Sequence, residues 1–103
     1  MATVTWTPQA RKDVEAAEDY YRVVAPAYAD VVVAGLLGST QRLGAFPRSG
    51  RAVPEVDDET VREVIYREYR VIYFYDEAED HIDVLSVLHS AKQFGGGTGP
   101  EGS

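Results

Sequence analysis

The sequence has no cysteine, and its 103 residues include only two histidines. The absence of cysteine excludes disulfide frameworks, thiolate zinc sites and thiol nucleophiles. No stretch approaches the roughly 20 consecutive apolar residues that a membrane-spanning helix needs, and the first residues lack the basic segment and apolar core of a signal peptide. We therefore expect a cytoplasmic protein without a membrane segment.

Basic residues are also scarce, with 10 Lys and Arg against 17 Asp and Glu and a net charge of −7. This balance opposes direct binding to nucleic acid, because such binding is driven by basic side chains that displace counterions from phosphates. The basic residues are nevertheless segregated, and this leaves room for a local basic site. Five of the ten fall within 23 residues, namely Arg48, Arg51, Arg62, Arg67 and Arg70.

The length is that of one domain, which we place at residues 1–94. The remaining residues, 95–103, are rich in glycine and carry nothing to bury, so we expect a flexible tail. With 45 % apolar residues, the composition of the whole chain is that of a globular protein. The fold must therefore be built from the first 94 residues.

A short strand at residues 4–6 is followed by two predicted helices. Thr7 is a suitable N-cap and Pro8 a suitable first residue for the first helix. Pro26 starts the second helix, which we expect to end at about residue 43, where Gly44 offers a left-handed stop. Two helices joined so tightly form a helical hairpin.

The second helix is apolar on two sides. At 100° per residue, a narrow strip lies roughly opposite a broad apolar face. We expect the sheet to cover the broad face and the first helix to cover the strip, the alternative being that part of this surface is kept for a partner protein. The broad face comprises Ala29, Val32, Val33, Leu36, Leu37, Thr40 and Leu43, and the strip comprises Ala27, Val31, Ala34 and Gly38.

Three strands are predicted in the second half, at residues 61–66, 69–75 and 82–88. Their short connections indicate an antiparallel meander. The sequence thus predicts an α+β fold of order β-α-α-β-β-β, in which the helical hairpin packs on a small, largely antiparallel sheet.

Few residues are candidates for chemistry. The glycines match no phosphate-binding loop, and His81 and His89 lack a clustered third ligand, so neither a metal nor a cofactor is expected. Arg70 lies in an otherwise apolar and aromatic strand and needs either an acidic partner, such as Glu63 on the neighbouring strand, or an open groove. In the second case Arg70 could form a phosphate-binding cluster with Arg51, Arg67 and His89.

The order of short motifs along the chain resembles the RelE/ParE superfamily of bacterial toxins. Each motif is weak, but five in the right order and spacing are specific, and they span residues 3 to about 92. The motifs are Trp6-Thr7-Pro8-Gln9-Ala10-x-x-Asp13, Phe46-Pro47-x-x-Gly50-Arg51, Val61-Arg62-Glu63, Tyr69-Arg70-Val71-Ile72-Tyr73 and Val87-Leu88-His89.

The resemblance implies one of two activities. RelE-like toxins cleave messenger RNA on the ribosome, whereas ParE-like toxins poison DNA gyrase. The strand lysines of the RelE-like enzymes would fall at Val61 and Glu63, and their second arginine near Ser90, so most of the nuclease set is missing. We therefore expect a ParE-like gyrase inhibitor with the target-contact candidates Arg51, Arg67, Arg70, His89 and Lys92. The alternative, a nuclease, would depend on Arg70, His89 and Arg51.

The resemblance also implies a cognate antitoxin that wraps the toxin in a hetero-oligomer. Its contacts are expected on the helical hairpin and the adjoining edge of the sheet, with Tyr20, Tyr28, Val31 and Leu36 as candidates. ParE-like toxins often carry a basic run after the final histidine, whereas only Lys92 remains here. A domain that binds antitoxin but has lost its toxicity is therefore a further alternative.

Overall fold

Two helices and five strands make up residues 1–95, the part of the chain that the computed structural model describes. The elements are β1 (Thr3–Trp6), α1 (Pro8–Val24), α2 (Pro26–Ala45), β2 (Arg51–Ala52), β3 (Val61–Tyr66), β4 (Tyr69–Asp76) and β5 (His81–His89). This confirms the predicted α+β order, with β2 as an additional two-residue strand. Apart from Gly95, the predicted tail lies outside the described residues.

The five strands form one sheet in the order β1-β5-β4-β3-β2. The pairs β2–β3, β3–β4 and β4–β5 are antiparallel, so the predicted meander is confirmed. β1 pairs with β5 in parallel, with Thr3 opposite His81 and Trp6 opposite Val84. The chain between β1 and β5 comprises the helical hairpin and strands β2 to β4, so the connection is long enough for parallel pairing.

The ends of the helices show which local signals were correct. The Thr7 hydroxyl accepts a hydrogen bond from the Ala10 amide at 3.2 Å and thereby caps α1, as predicted. The predicted stop at Gly44 is wrong, because α2 continues to Ala45. A Cβ on Gly44 would lie 3.1 Å from the Ala2 carbonyl oxygen, so this position permits a close approach of the N-terminal segment instead.

Hydrophobic side chains pack on both faces of the sheet. On the helical face, residues of α1 and α2 bury the strand residues Val71, Val84 and Val87. On the opposite face a smaller cluster covers Ile72 with Val53 from the β2–β3 connection and Phe94 from the C-terminal segment. The C-terminal segment is therefore part of the packed structure as far as Phe94.

The packing of α2 differs from the sequence prediction. Both α1 and the sheet pack on the broad apolar face, where Ala10 and Ala17 of α1 share one cluster with Val32 and Leu36. The narrow strip is not covered by α1, since Val31 is 43 % exposed. Leu36 is fully buried, so its assignment as an antitoxin contact was wrong and it is a core residue.

Neither helix of the described chain combines the length and the apolar character needed to cross a membrane.

Candidate functional site

Arg70 of β4 is held by two carboxylates. Its Nε donates to Glu63 Oε1 at 2.7 Å, and its two terminal nitrogens donate to the two oxygens of Glu55 at 2.7 and 2.8 Å. Nη1 also donates to the Lys92 carbonyl oxygen at 2.9 Å. The predicted partner Glu63 is confirmed, whereas the bidentate partner Glu55 was not predicted. Only 8 % of the Arg70 side chain is exposed.

Glu63 connects this arginine to a second one. Its other carboxylate oxygen accepts from Arg51 Nε at 2.7 Å, and the pairing of β2 with β3 sets Arg51 directly opposite Glu63. The Glu63 side chain is fully buried, while that of Arg51 is 66 % exposed. A buried charge requires compensation. The two arginines provide it here, so both are engaged by the same carboxylate.

Glu55 joins the arginine to the C-terminal segment. Hydrogen bonding from Arg70 lowers the pKa of Glu55 from 4.5 to about 2, and an additional bond from the Phe94 amide acts in the same direction. The hydrogen bonds that Arg70 donates to Glu55 likewise raise the pKa of Arg70. Both groups therefore remain charged at neutral pH. The Phe94 amide donates to Glu55 Oε2 at 3.0 Å, which places the Phe94 ring over Ile72 and Val53.

These residues line an open groove of about 430 Å³ on the sheet face opposite the helices. The charged groups at the groove are two arginines and two glutamates, so their formal charges cancel. A phosphate-binding site would instead require an excess of positive charge. The lining residues are Arg51, Pro54, Glu55, Glu63, Ile65, Arg70, Ser90 and Gln93.

A second group of polar residues lies at the β3–β4 turn. Arg67 adopts φ 53°, and its guanidinium lies 5.5 Å from the ring centres of Tyr28 and Tyr66. Glu68 accepts hydrogen bonds from the hydroxyls of Tyr21 and Tyr28, and the bond from Tyr21 lowers the pKa of Glu68. The turn is thus fastened to the helical hairpin.

The remaining target-contact candidates lie near the end of β5. His89 is exposed, and its ring packs edge-on against Tyr69 with 6.0 Å between centres. Lys92 is exposed as well, while its carbonyl oxygen accepts from Arg70. Arg51 and Arg70 therefore belong to the groove, whereas Arg67 and His89 contact tyrosines beside the hairpin. The four residues therefore do not form a single phosphate-binding cluster.

The antitoxin candidates differ in exposure. Tyr20 is 60 % exposed and Val31 43 %, while Tyr28 is half-buried between Tyr21 and Arg67. The sequence analysis missed Tyr66, whose ring lies across Gly35 of α2. Glycine is unfavourable in the middle of a helix. Gly35 is therefore the feature of the sequence that could have indicated a close contact with another side chain.

The described residues contain no group of three or more His, Asp or Glu side chains that could hold a metal ion.

The arrangement of two helices on a five-stranded mixed sheet is the fold of known toxins of the ParE and RelE type. The chain is similar to a structure of the chromosomal ParDE toxin–antitoxin system from P. aeruginosa, with a TM-score of 0.70, 21 % identity and coverage of 86 % of this chain and 96 % of that chain. It is also similar to the RelBE2 toxin–antitoxin complex from Mycobacterium tuberculosis, with a TM-score of 0.56, 22 % identity and coverage of 85 % and 96 %. Among curated proteins, none matches this sequence.

The family follows from the sequence itself. Residues 4–94 match the family model described as the ParE toxin of the type II toxin–antitoxin system parDE. The chain therefore belongs to this family, and the resemblance to RelE/ParE toxins is confirmed.

Proposed function

We propose that this chain inhibits DNA gyrase by direct protein contact and that a cognate antitoxin neutralises it in a hetero-oligomer. Membership of the ParE family makes the chain a toxin of a type II toxin–antitoxin system. The choice of gyrase rests on the nuclease residues that are missing at Val61, Glu63 and Ser90, and the engagement of Arg70 argues further against catalysis.

The engagement of Arg70 supports this proposal. RelE-like nucleases use an arginine at this position to stabilise charge at the scissile phosphate, as the sequence resemblance implies, and such a group must be free to reach the phosphate. Here the guanidinium makes four hydrogen bonds to Glu55, Glu63 and the Lys92 carbonyl. Withdrawing it would leave the buried carboxylate of Glu63 with the exposed Arg51 as its remaining partner. The geometry therefore favours a structural role for Arg70.

Four exposed residues remain as target contacts in this proposal, namely Arg51, Arg67, His89 and Lys92. Arginine beside aromatic rings is typical of protein interfaces in which a few residues carry most of the binding energy. Arg67 has this environment, since it lies over Tyr28 and Tyr66. It is the first of the four to test.

The test is a titration of purified toxin in gyrase supercoiling and DNA-cleavage assays. The proposal predicts loss of supercoiling and accumulation of the cleaved complex, and Arg67→Asn should weaken inhibition by about tenfold. Asparagine tolerates a positive φ, so the turn should be kept. Lys12→Gln on α1 removes the same charge at another exposed position and should have no effect.

Unchanged supercoiling at a large excess of toxin would refute the gyrase proposal. Ribosome-dependent cleavage of messenger RNA would then establish the nuclease alternative. Without either activity, and without growth arrest when the chain is induced alone in a bacterial host, the remaining alternative is an antitoxin-binding domain that has lost its toxicity.

The antitoxin surface is proposed on the helical hairpin, around Tyr20, Tyr28 and Val31. Tyr20 and Val31 are large exposed side chains of the kind that anchor a partner segment. The protein encoded next to the toxin gene is the binding partner to test. We expect Tyr20→Ala to weaken its binding by about tenfold without lowering the melting temperature.

A further inference from the structure

The outer face of α2 is an apolar surface that no other described element covers. Val31 and Leu37 are 43 % and 45 % exposed, and Ala34 between them is exposed as well. A Cβ built on Gly38 meets no other atom within 4 Å, so the face has an open notch there. The spacing of Val31, Ala34 and Gly38 is i, i+3 and i+7. Residues at this spacing lie on one side of a helix and can contact a second helix.

Arg67 lies at the Val31 end of this face and has no carboxylate partner among the described residues. Tyr66 donates to the Val31 carbonyl oxygen at 3.1 Å and accepts from Arg67 Nε at 3.0 Å, so Arg67 lies beside Val31. Within residues 1–95, no carboxylate oxygen lies within 4.0 Å of the Arg67 guanidinium, whereas Arg22 of the same hairpin is paired with both Glu18 and Asp30.

Arg42 lies at the opposite end of the same face. Arg42 donates to Ser39 Oγ at 3.3 Å, and no ion pair engages it in the described part of the chain. Arg42 follows Val31 by eleven residues, which corresponds to about three helical turns and about 16 Å along the axis. Both cations therefore border the same side of the apolar face.

We propose that this face binds an amphipathic helix of the antitoxin that carries two carboxylates about eleven residues apart, one for Arg67 and one for Arg42. This inference rests on the proposed function, which supplies the antitoxin as the occupant. Covering an arginine that lacks a counter-charge is costly, so a partner that buries this face must bring acidic groups to its ends. The notch at Gly38 lets the partner helix approach closely.

The same charges argue against a second copy of this chain as the occupant. A two-fold interface on this face would oppose the same patch on both copies. It would bring the Arg42 and Arg67 ends together without a carboxylate between them. The exposed acid of this region, Asp30, is already bound to Arg22 at 2.7 Å. A heterologous acidic partner satisfies both arginines.

The experiment titrates the protein encoded by the neighbouring reading frame against purified toxin variants at 0.1 M salt. Arg42→Gln and Arg67→Asn should each weaken binding about fivefold to tenfold, and Gly38→Leu should weaken it at least about fiftyfold by filling the notch. Lys12→Gln is the matched charge control and Ala78→Leu in the β4–β5 turn the matched size control, and both should stay within about twofold. Raising the salt should weaken the wild type more than the Arg42→Gln, Arg67→Asn double variant.

Melting curves show whether each variant is folded, and Gly38→Leu is expected to melt no lower than the wild type because its side chain meets open space. If the wild type binds and the folded variants at positions 38, 42 and 67 bind equally well, this inference is wrong while the antitoxin assignment stands. If the wild type does not bind the neighbouring gene product, the antitoxin assignment and this inference both fail.

Discussion

Glu63 and Arg70 form a salt bridge of 2.7 Å on adjacent strands, and the side chains are 0 % and 8 % exposed respectively. The pair lies on the sheet face where the resemblance to RelE-like enzymes would place a phosphate. Because Glu63 is also bound by Arg51, the two arginines stabilise a buried anion of the protein itself. The ion pairs that line the groove therefore stabilise the fold.

Removing the buried charge at Glu63 should destabilise the fold. Glu63→Gln leaves Glu55 as the only carboxylate bound to the guanidinium of Arg70 among the described residues, and breaking a buried pair in this way typically costs about 3–5 kcal/mol. Urea unfolding followed by circular dichroism measures the effect. Glu79→Gln, at an exposed turn residue, is the control and should change the free energy of unfolding by less than about 0.5 kcal/mol. A loss below 1 kcal/mol for Glu63→Gln would contradict the structural role.

The pair of Glu55 with Arg70 should make stability depend on acid pH. The pKa of Glu55 is lowered from 4.5 to about 2 in the folded state, so its contribution is present above pH 4.5 and is lost as the pH falls towards 2. After allowance for solvent screening we expect about 1–2 kcal/mol. Unfolding curves between pH 5 and pH 2 for the wild type and Glu55→Gln give the difference, and it should shrink over this range. A constant difference would show that the charge of Glu55 contributes nothing.

Two glycines should respond to alanine in opposite ways. Gly38→Ala adds a Cβ to open space in a helix and should stabilise the protein by about 0.5–1 kcal/mol. Gly50→Ala places its Cβ 2.5 Å from the Tyr73 hydroxyl and 2.8 Å from the Glu63 carbonyl oxygen, and should destabilise it by about 1–3 kcal/mol. The two melting temperatures, each compared with the wild type, test the packing directly. Equal shifts of the same sign would be inconsistent with this structure.

The adjacent tyrosines of α1 should separate binding from stability. The Tyr21 hydroxyl donates to the Glu68 carboxylate, so Tyr21→Phe should lower the free energy of unfolding by about 1–2 kcal/mol. Tyr20 is 60 % exposed, and Tyr20→Ala should change it by less than about 0.5 kcal/mol while weakening antitoxin binding. Denaturation and binding titrations on both variants check this contrast. A large loss of stability for Tyr20→Ala would assign this side chain to the core.

The order and type of the elements follow from local signals in the sequence. The Thr7 cap, Pro8 and Pro26 specify the helix starts, and the aromatic and β-branched residues of β4 and β5 specify strands. These signals act within a few residues and are therefore readable in one sequence.

What could not be predicted depends on distant contacts. Glu55 binds Arg70 from the β2–β3 connection, fifteen residues away, and nothing in its local sequence marks it as a partner. The side of α2 that α1 covers depends on the orientation of the hairpin relative to the sheet. Both the broad face and the narrow strip of α2 are apolar, so the sequence alone does not show which of them is buried. For the same reason the sequence does not distinguish Leu36, which is buried, from Val31, which is partly exposed, although both side chains are hydrophobic.

The parallel pairing of β1 with β5 has a consequence for the synthesis of this toxin. β5 lies inside the sheet, between β1 and β4, and it is the last of the described strands to be synthesised. Thr3 must find a partner 78 residues later in the chain, at His81, and contacts of such long range form slowly. Until β5 has been synthesised, β1 lacks its partner strand, and the edge of β4 that pairs with β5 has no strand beside it.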